Sequence, residues 1–228
     1  MSVVGLGRHA ADERLPRHRH AEGYIAVVLD GGYEEAGDEG RFTLRPGMVV
    51  VHGGWTAHLD RFGIDGAKLL NLPVAPGLAP GVGTIDDPDT AVRLAERDPR
   101  AAAAFVAERF GASGERHADW PDLLATALCA DPDLAIAPWA RGIGLDPASV
   151  SRGFARAYGT SPKRFRIEAR TRRAIAALSG WRGTLADLAA DQGFADQAHM
   201  ARAVAAMTGV PPVRLQAKSV QASRGLRR

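Results

Sequence analysis

From His18 to about Leu72 the apolar residues come in short runs separated by Gly and Pro. Tyr24–Leu29 is apolar, Gly31–Gly32 reads as a turn, Arg41–Leu44 alternates, and Pro46–Gly47 makes another turn before the β-branched run Val49–Val51. Several short strands with this punctuation predict a small β-sandwich or barrel. Residues 1–17 read as an extended lead-in, and residues 73–85, rich in Pro and Gly, as a connector. From Asp89 the apolar period becomes helical: Ala91, Leu94 and Ala95, then Ala102, Phe105, Val106 and Phe110, with Asp98–Pro99 supplying an N-cap and a proline at the first helical position. Trp120, Leu123, Leu124, Ala127 and Leu128 make a further stripe after Asp119. These helices could cover the barrel or pair with a second subunit, and the pattern fits both.

The last hundred residues carry one pattern twice, fifty positions apart. Ala140, Gly144, Leu145, Val150, Arg152, Gly159, Pro162 and Phe165 recur as Ala189, Gly193, Phe194, Met200, Arg202, Gly209, Pro212 and Leu215, with one residue inserted after the turn. Each copy predicts a short helix, a turn at Gly and a second helix, the helix-turn-helix whose second helix enters the DNA major groove. In the first copy Pro138 suits a helix start, Gly144 the tight turn, and Asp146 an N-cap, with Val150, Phe154 and Tyr158 on the apolar side. In the second, Thr184 caps a helix through Leu185 and Leu188, Gly193 turns, and Asp196 opens the next helix.

That leaves Ala148, Ser149, Ser151, Arg152 and Arg156 in the first copy, and Gln197, His199 and Arg202 in the second, as candidate DNA contacts. Arg bonds bidentately to guanine and Gln to adenine, while Ser and His serve several base edges. Arg152 and Arg202 could instead hold phosphates or support the fold. Between the copies a long helix from Pro162 to about Leu178 carries Lys163, Arg164, Arg166, Arg170, Arg172 and Arg173 and would hold the units rigidly apart.

Charge sharpens this picture. The net charge of +3 conceals an acidic half, with 19 acidic against 13 basic residues in 1–130, and a basic half, with 16 basic against 7 acidic residues in 131–228. A basic field attracts polyanions, and here it coincides with the repeated motif. The single cysteine, Cys129, excludes an intrachain disulfide framework and fits a reducing, cytoplasmic location; its apolar neighbours predict a buried small hydrophobe rather than a redox sensor. No run approaches the ~18 apolar residues of a membrane span, and the N-terminus lacks the apolar stretch of a secretory signal.

The stretch Leu185-Ala-Asp-Leu-Ala-Ala-Asp-Gln-Gly-Phe-Ala-Asp-Gln-Ala-His-Met-Ala-Arg202, with Gly209-Val-Pro-Pro-Val-Arg-Leu215, resembles the signature of AraC-type (AraC/XylS) transcription regulators. Leu145–Phe154 and Gly159–Phe165 are similar to that family's first unit, so the resemblance covers roughly residues 131–216. It implies an all-α double helix-turn-helix domain that recognises promoter DNA. Met200 and Val204 stand where the family usually has aromatic residues, which implies a more loosely packed second unit, and Ala195 replaces a usual small hydroxyl residue, leaving Asp196 as the cap.

The resemblance also implies a small cupin-like sensor barrel at the N-terminus. His18-Arg-His20, Gly31, Pro46-Gly47 and His58 match the spacing of the two cupin motifs, although the usual acidic ligand would fall near Tyr24 or Ile25 and Glu22 lies early. His18, His20, Glu22 and Tyr24 share strand parity and are expected to point into one interior with His58 and Trp55, as an effector site. His18, His20 and His58 could hold a divalent transition metal, or meet the polar groups of an organic ligand.

The sequence thus predicts a multidomain β plus α chain: a cupin-like sensor over residues 1–85, a helical connector or dimerisation segment over 86–130, and a double helix-turn-helix domain over 131–228. The expected function is a sequence-specific transcription regulator and not an enzyme, with promoter DNA and a small-molecule effector as partners, as a homodimer if it reads two half-sites. A metal-dependent cupin enzyme with a helical appendage, or a non-specific DNA binder, are the alternatives; the displaced carboxylate and the location of the specific motifs weigh against the enzyme.

Overall fold

The computed structural model describes residues 4–114, 116–131 and 133–216. One compact unit extends to Asp122 and includes Arg156–Gly159; the other comprises Leu123–Ala155 and the chain from Thr160 on.

The first unit is an eight-stranded antiparallel sheet: β1 (Gly5–His9), β2 (Arg14–Arg19), β3 (Tyr24–Gly37), β4 (Gly40–Leu44), β5 (Met48–His52), β6 (Ala57–Pro73), β7 (Gly81–Thr84) and β8 (Gly111–Ala112). The long strands β3 and β6 pair along most of their lengths and belong to both halves of a bent sheet. One half orders as β1, β6, β3, β5, β7, β8; in the other, β2 adds to β6 and β4 to β3. Of the sandwich or barrel that the strand spacing predicts, the structure forms an open, bent sheet.

The expected turn at Gly31–Gly32 lies inside β3. The chain does not reverse there; it bulges, with register shifts between Val28 and Asp30 and between Gly31 and Tyr33. Gly31 (φ 69°) faces Gly66 (φ 65°), and a Cβ on Gly31 would lie 2.1 Å from the Gly66 carbonyl oxygen. Two glycines at positive φ let both long strands bend at one point without collision. The sequence pattern reads this punctuation as a chain reversal because turn and bulge use the same residue. The expected lead-in is likewise two strands, β1 and β2, and the connector contains β7, which pairs with β5. Their signals are weak because these strands are short and half-exposed.

Alternation along the strands serves two interiors. Ile25, Val27, Val49, Val51, Leu70 and Leu72 pack with Ala91, Ala102, Ala103 and Val106 of α1 (Pro88–Ala95) and α2 (Pro99–Arg109). Val28, Val50 and Leu69 face the other way, with Tyr33, Phe42, Leu44 and Phe62, into the bend of the sheet. Residues 49–51 form an unbroken valine run because β5 is covered on both faces. The helices α1 and α2 begin at Asp87 and Asp98, whose side chains accept from Thr90 N and Arg100 N.

The second unit contains most of α3 (Trp120–Ala130) and of α5 (Pro147–Tyr158), with α4 (Ile136–Gly142), α6 (Pro162–Leu178), α7 (Leu185–Asp191) and α8 (Gln197–Thr208). Its second half closes on Ala174, Leu178, Leu188, Ala189, Phe194, Met200 and Val204. Met200 and Val204 are fully buried, so the absence of aromatics at these positions leaves no opening to solvent. Cys129 is only partly buried, on α3, where the pattern predicts full burial.

Candidate functional site

The sequence repeat is a structural repeat. Gly144 (φ 73°) and Gly193 (φ 72°) each turn the chain between two helices. Leu145 N donates to Ala140 O at 2.9 Å, and Phe194 N to Ala189 O at 2.8 Å, so the same closing hydrogen bond ends α4 and α7. Ala140 and Ala189 are both fully buried, where any larger side chain would push the paired helices apart. Second helices then start at matched caps: Ser149 N donates to Asp146 Oδ2 at 2.9 Å, and His199 N to Asp196 Oδ1 at 2.6 Å. A capping box of Thr184 and Asp187 fixes the start of α7.

Ala148, Ser149, Ser151, Arg152 and Arg156 are exposed on α5, and Gln197 and Arg202 on α8. Arg152 Nη2 donates to Ser149 Oγ at 3.1 Å, which holds the guanidinium along the polar face. His199 differs: it is half-buried, with its ring edge-on to Phe194 at 5.3 Å. Several α6 cations are committed internally. Arg173 donates to Cys129 O at 3.0 Å and Arg166 to Leu134 O at 2.8 Å, while Arg164 bonds Glu168 at 3.0 Å. Two arginines of α6 therefore hold carbonyls of the preceding segment, Cys129 of α3 and Leu134, while Arg164 pairs within α6 itself.

In the sheet unit, register explains which side chains meet. His18 on β2 lies opposite His58 on β6; Glu35 on β3 lies opposite Asp60, two residues along β6 on the same face; Tyr24 lies opposite His52 across β3 and β5. Gly37 lies opposite His58, and a Cβ there would approach the His58 Cβ to 3.0 Å, so glycine makes room for the imidazole. The rings of His18 and His58 are 4.4 Å apart, His18 and His20 5.0 Å, and His20 and His58 5.7 Å. Tyr24 stacks on His52 at 4.4 Å, and its hydroxyl lies 3.3 Å from His58 Nε2. A cavity of about 150 Å³ opens beside them, lined by His18, His20, Tyr24, Glu35 and Asp60 among others.

Glu22 is not among these side chains. β2 ends at Arg19, the chain bends at residues 21–22, and Glu22 is exposed, so parity does not carry from His20 to Glu22. Trp55 does not line the cavity either; it sits at φ 65° in the tight loop before β6, and its N–H donates to His20 O at 2.9 Å. Sequence reasoning missed His52, Glu35 and Asp60, all buried. Asp60 shares strand parity with His58, a usable signal; Glu35 lies beyond the bulge, where parity restarts.

Burial governs the electrostatics. It pushes His52 down to about 3 and His58 well below the ordinary value, with neighbouring imidazoles adding to the effect. It pushes Glu35 well above the carboxylate range, Asp60 adding, and raises Asp60 to about 7. His52 Nε2 lies 3.6 Å from Glu35 Oε2, and the burial that lowers the imidazole and raises the carboxyl disfavours the charged form of both partners. His20, less buried, is also lowered, by burial and then by His18.

Residues 139–218 match a family model described as a helix-turn-helix domain. The chain thus carries a helix-turn-helix domain in its C-terminal part. None of the curated proteins matches it in sequence. Among solved structures it is similar to an AraC-type transcriptional regulator from Chromobacterium violaceum, at 20% identity over 43% of this chain and 89% of that one, with a TM-score of 0.40. It is also similar to fatty-acid-bound ToxT from Vibrio cholerae, at 9% identity over 94% of each chain, TM-score 0.43. The C-terminal domain of AraT, a response regulator from Geobacillus stearothermophilus, is similar at 18% identity over 46% of this chain and 88% of that one, TM-score 0.42. Among the described residues, no helix is long and apolar enough to cross a membrane.

Proposed function

We propose that this protein is a sequence-specific transcription regulator, not an enzyme, whose antiparallel sheet senses a small ligand. One observation carries the reading: two copies of the same helix-turn-helix, with matched turns and caps, leave Arg152 and Arg202 exposed at equivalent positions of α5 and α8. Two such helices give two reading heads on one chain, and a homodimer would double them. The division into a sensor over residues 1–85, its covering helices and connector over 86–130, and a DNA-binding domain over 131–228 follows from this reading. His18, His20, Tyr24 and His58 form the effector end, where the imidazoles can meet a metal or the polar groups of an organic molecule.

The test is a selection of random duplexes on the full-length protein. A defined sequence should emerge, and recovery of no consensus would reduce the protein to a non-specific binder. On the selected site Arg152→Ala or Arg202→Ala should weaken binding by about 1–3 kcal/mol and relax preference at one position. Equal weakening on every sequence assigns that Arg to phosphate.

A further inference from the structure

The buried end of the sheet unit holds more donor chemistry than an organic-ligand pocket requires. His52 Nε2, His58 Nδ1 and Asp60 Oδ1 are sealed from solvent and have no hydrogen-bond partner among the described residues. Leaving three polar atoms of neighbouring side chains unsatisfied is costly, and a fold retains such a group where something else completes it. Glu35, His52 and His58 each direct a ligand atom to within 4.8 Å of the other two. Donors on a shared tetrahedral ion with bonds of about 2.1 Å sit ~3.4 Å apart, and His52 Nε2 to Glu35 Oε2 is 3.6 Å.

We infer that Glu35, His52 and His58 bind a divalent transition-metal ion of the Zn²⁺ type, at a buried position distinct from the half-exposed His18–His20 pair. Two imidazoles and one carboxylate suit this class, whereas Mg²⁺ and Ca²⁺ require mostly oxygen. The carboxylate supplies the anionic ligand that the His18, His20 and His58 set lacks, and it comes from β3 beyond the bulge. The second layer is also in place: Tyr24 stacks on His52 and approaches His58 Nε2 with its hydroxyl, and Asp60 Oδ2 lies 3.8 Å from that nitrogen. Because its ligands come from β3, β5 and β6, the ion would tie both halves of the bent sheet together.

That this ion is the regulatory ligand rests on the sensor reading above; its binding does not. Full-length protein stripped with chelator, then loaded with Zn²⁺ or Co²⁺ and desalted, should retain about one ion per chain, melt at higher temperature, and show a Co²⁺ d–d band of tetrahedral intensity. Glu35→Gln should weaken retention about tenfold or more, and His18→Ala/His20→Ala should retain the ion. No uptake by the parent, or loss in the double variant with retention in Glu35→Gln, overturns the site. Should Glu35→Gln misfold, the Co²⁺ spectrum of the parent and metal retention by the double variant decide. DNA affinity with and without Zn²⁺ is read separately: a bound ion that leaves affinity unchanged upholds the site and removes its role as the regulatory ligand.

Discussion

Gly31 and Gly144 are both glycines at positive φ, yet their surroundings give them different costs of substitution. At Gly144 a Cβ meets nothing within 4 Å, so Gly144→Ala carries only the left-handed backbone penalty, roughly 1–2 kcal/mol. At Gly31 the same atom would lie 2.1 Å from a backbone oxygen of β6, and no rotamer relieves that contact. Gly31→Ala should therefore cost more than Gly144→Ala, by about 2 kcal/mol or more, or prevent folding. Denaturant titration of both variants checks the order, and equal losses would contradict the bulge. The histidines make a related point. His20 and Glu22, two positions apart, part company because β2 ends at Arg19 and the chain bends at residues 21–22, so identity and parity are read from sequence but the strand's end is not.

Elements place charges as well as side chains, and the pairing of β3 with β6 sets Glu35 against Asp60. In the metal-free protein both hold protons at pH values where the unfolded chain, with ordinary values of 4.5 and 3.8, has released them. Their stabilisation is complete below those values and is lost as pH rises, through about 7 for Asp60 and well above the carboxylate range for Glu35. His52 runs the other way: its contribution is full above its ordinary 6.5 and is lost as pH falls toward about 3. The two trends oppose each other at mildly acid pH, and above 6.5 only the carboxyls act. Stability of the metal-free protein should accordingly decline from pH 6.5 upward, and Glu35→Gln should flatten that decline in denaturation measured across pH. On α7 the capping box is the device to test. Thr184→Ala removes the acceptor of Asp187 N and should cost about 0.5–2 kcal/mol, measured by thermal melting, against a few tenths for Thr184→Gly.

For the whole molecule, the excess of basic residues in 131–228 predicts that duplex binding weakens steeply with salt, since each neutralised phosphate releases a counterion. Titrations of the full chain at several salt concentrations give the slope. The internal use of Arg164, Arg166 and Arg173 lowers the expected value, so a slope counting every cation of α6 would show that those bonds open on DNA. The helix-turn-helix pair was legible in the chain because it is local: turn glycines, caps and apolar period all act within about ten residues, and each repeated fifty positions later. The helical cover was legible only as amphipathic stripes, and packing against β3, β5 and β6 decided what α1 and α2 bury. The sheet was half legible. Valine runs and Gly/Pro punctuation specify strands, but a glycine at positive φ serves a turn and a bulge alike, and only long-range pairing between β3 and β6 chose the bulge. Pairing of β3 with both β6 and β5 brought Glu35, His52 and His58 together across three strands. By itself the sequence determined the two helix-turn-helix units and singled out His18, His20 and His58. Tertiary structure alone decided the buried carboxylate and imidazole behind them, because register between distant strands depends on the whole sheet and not on any local run.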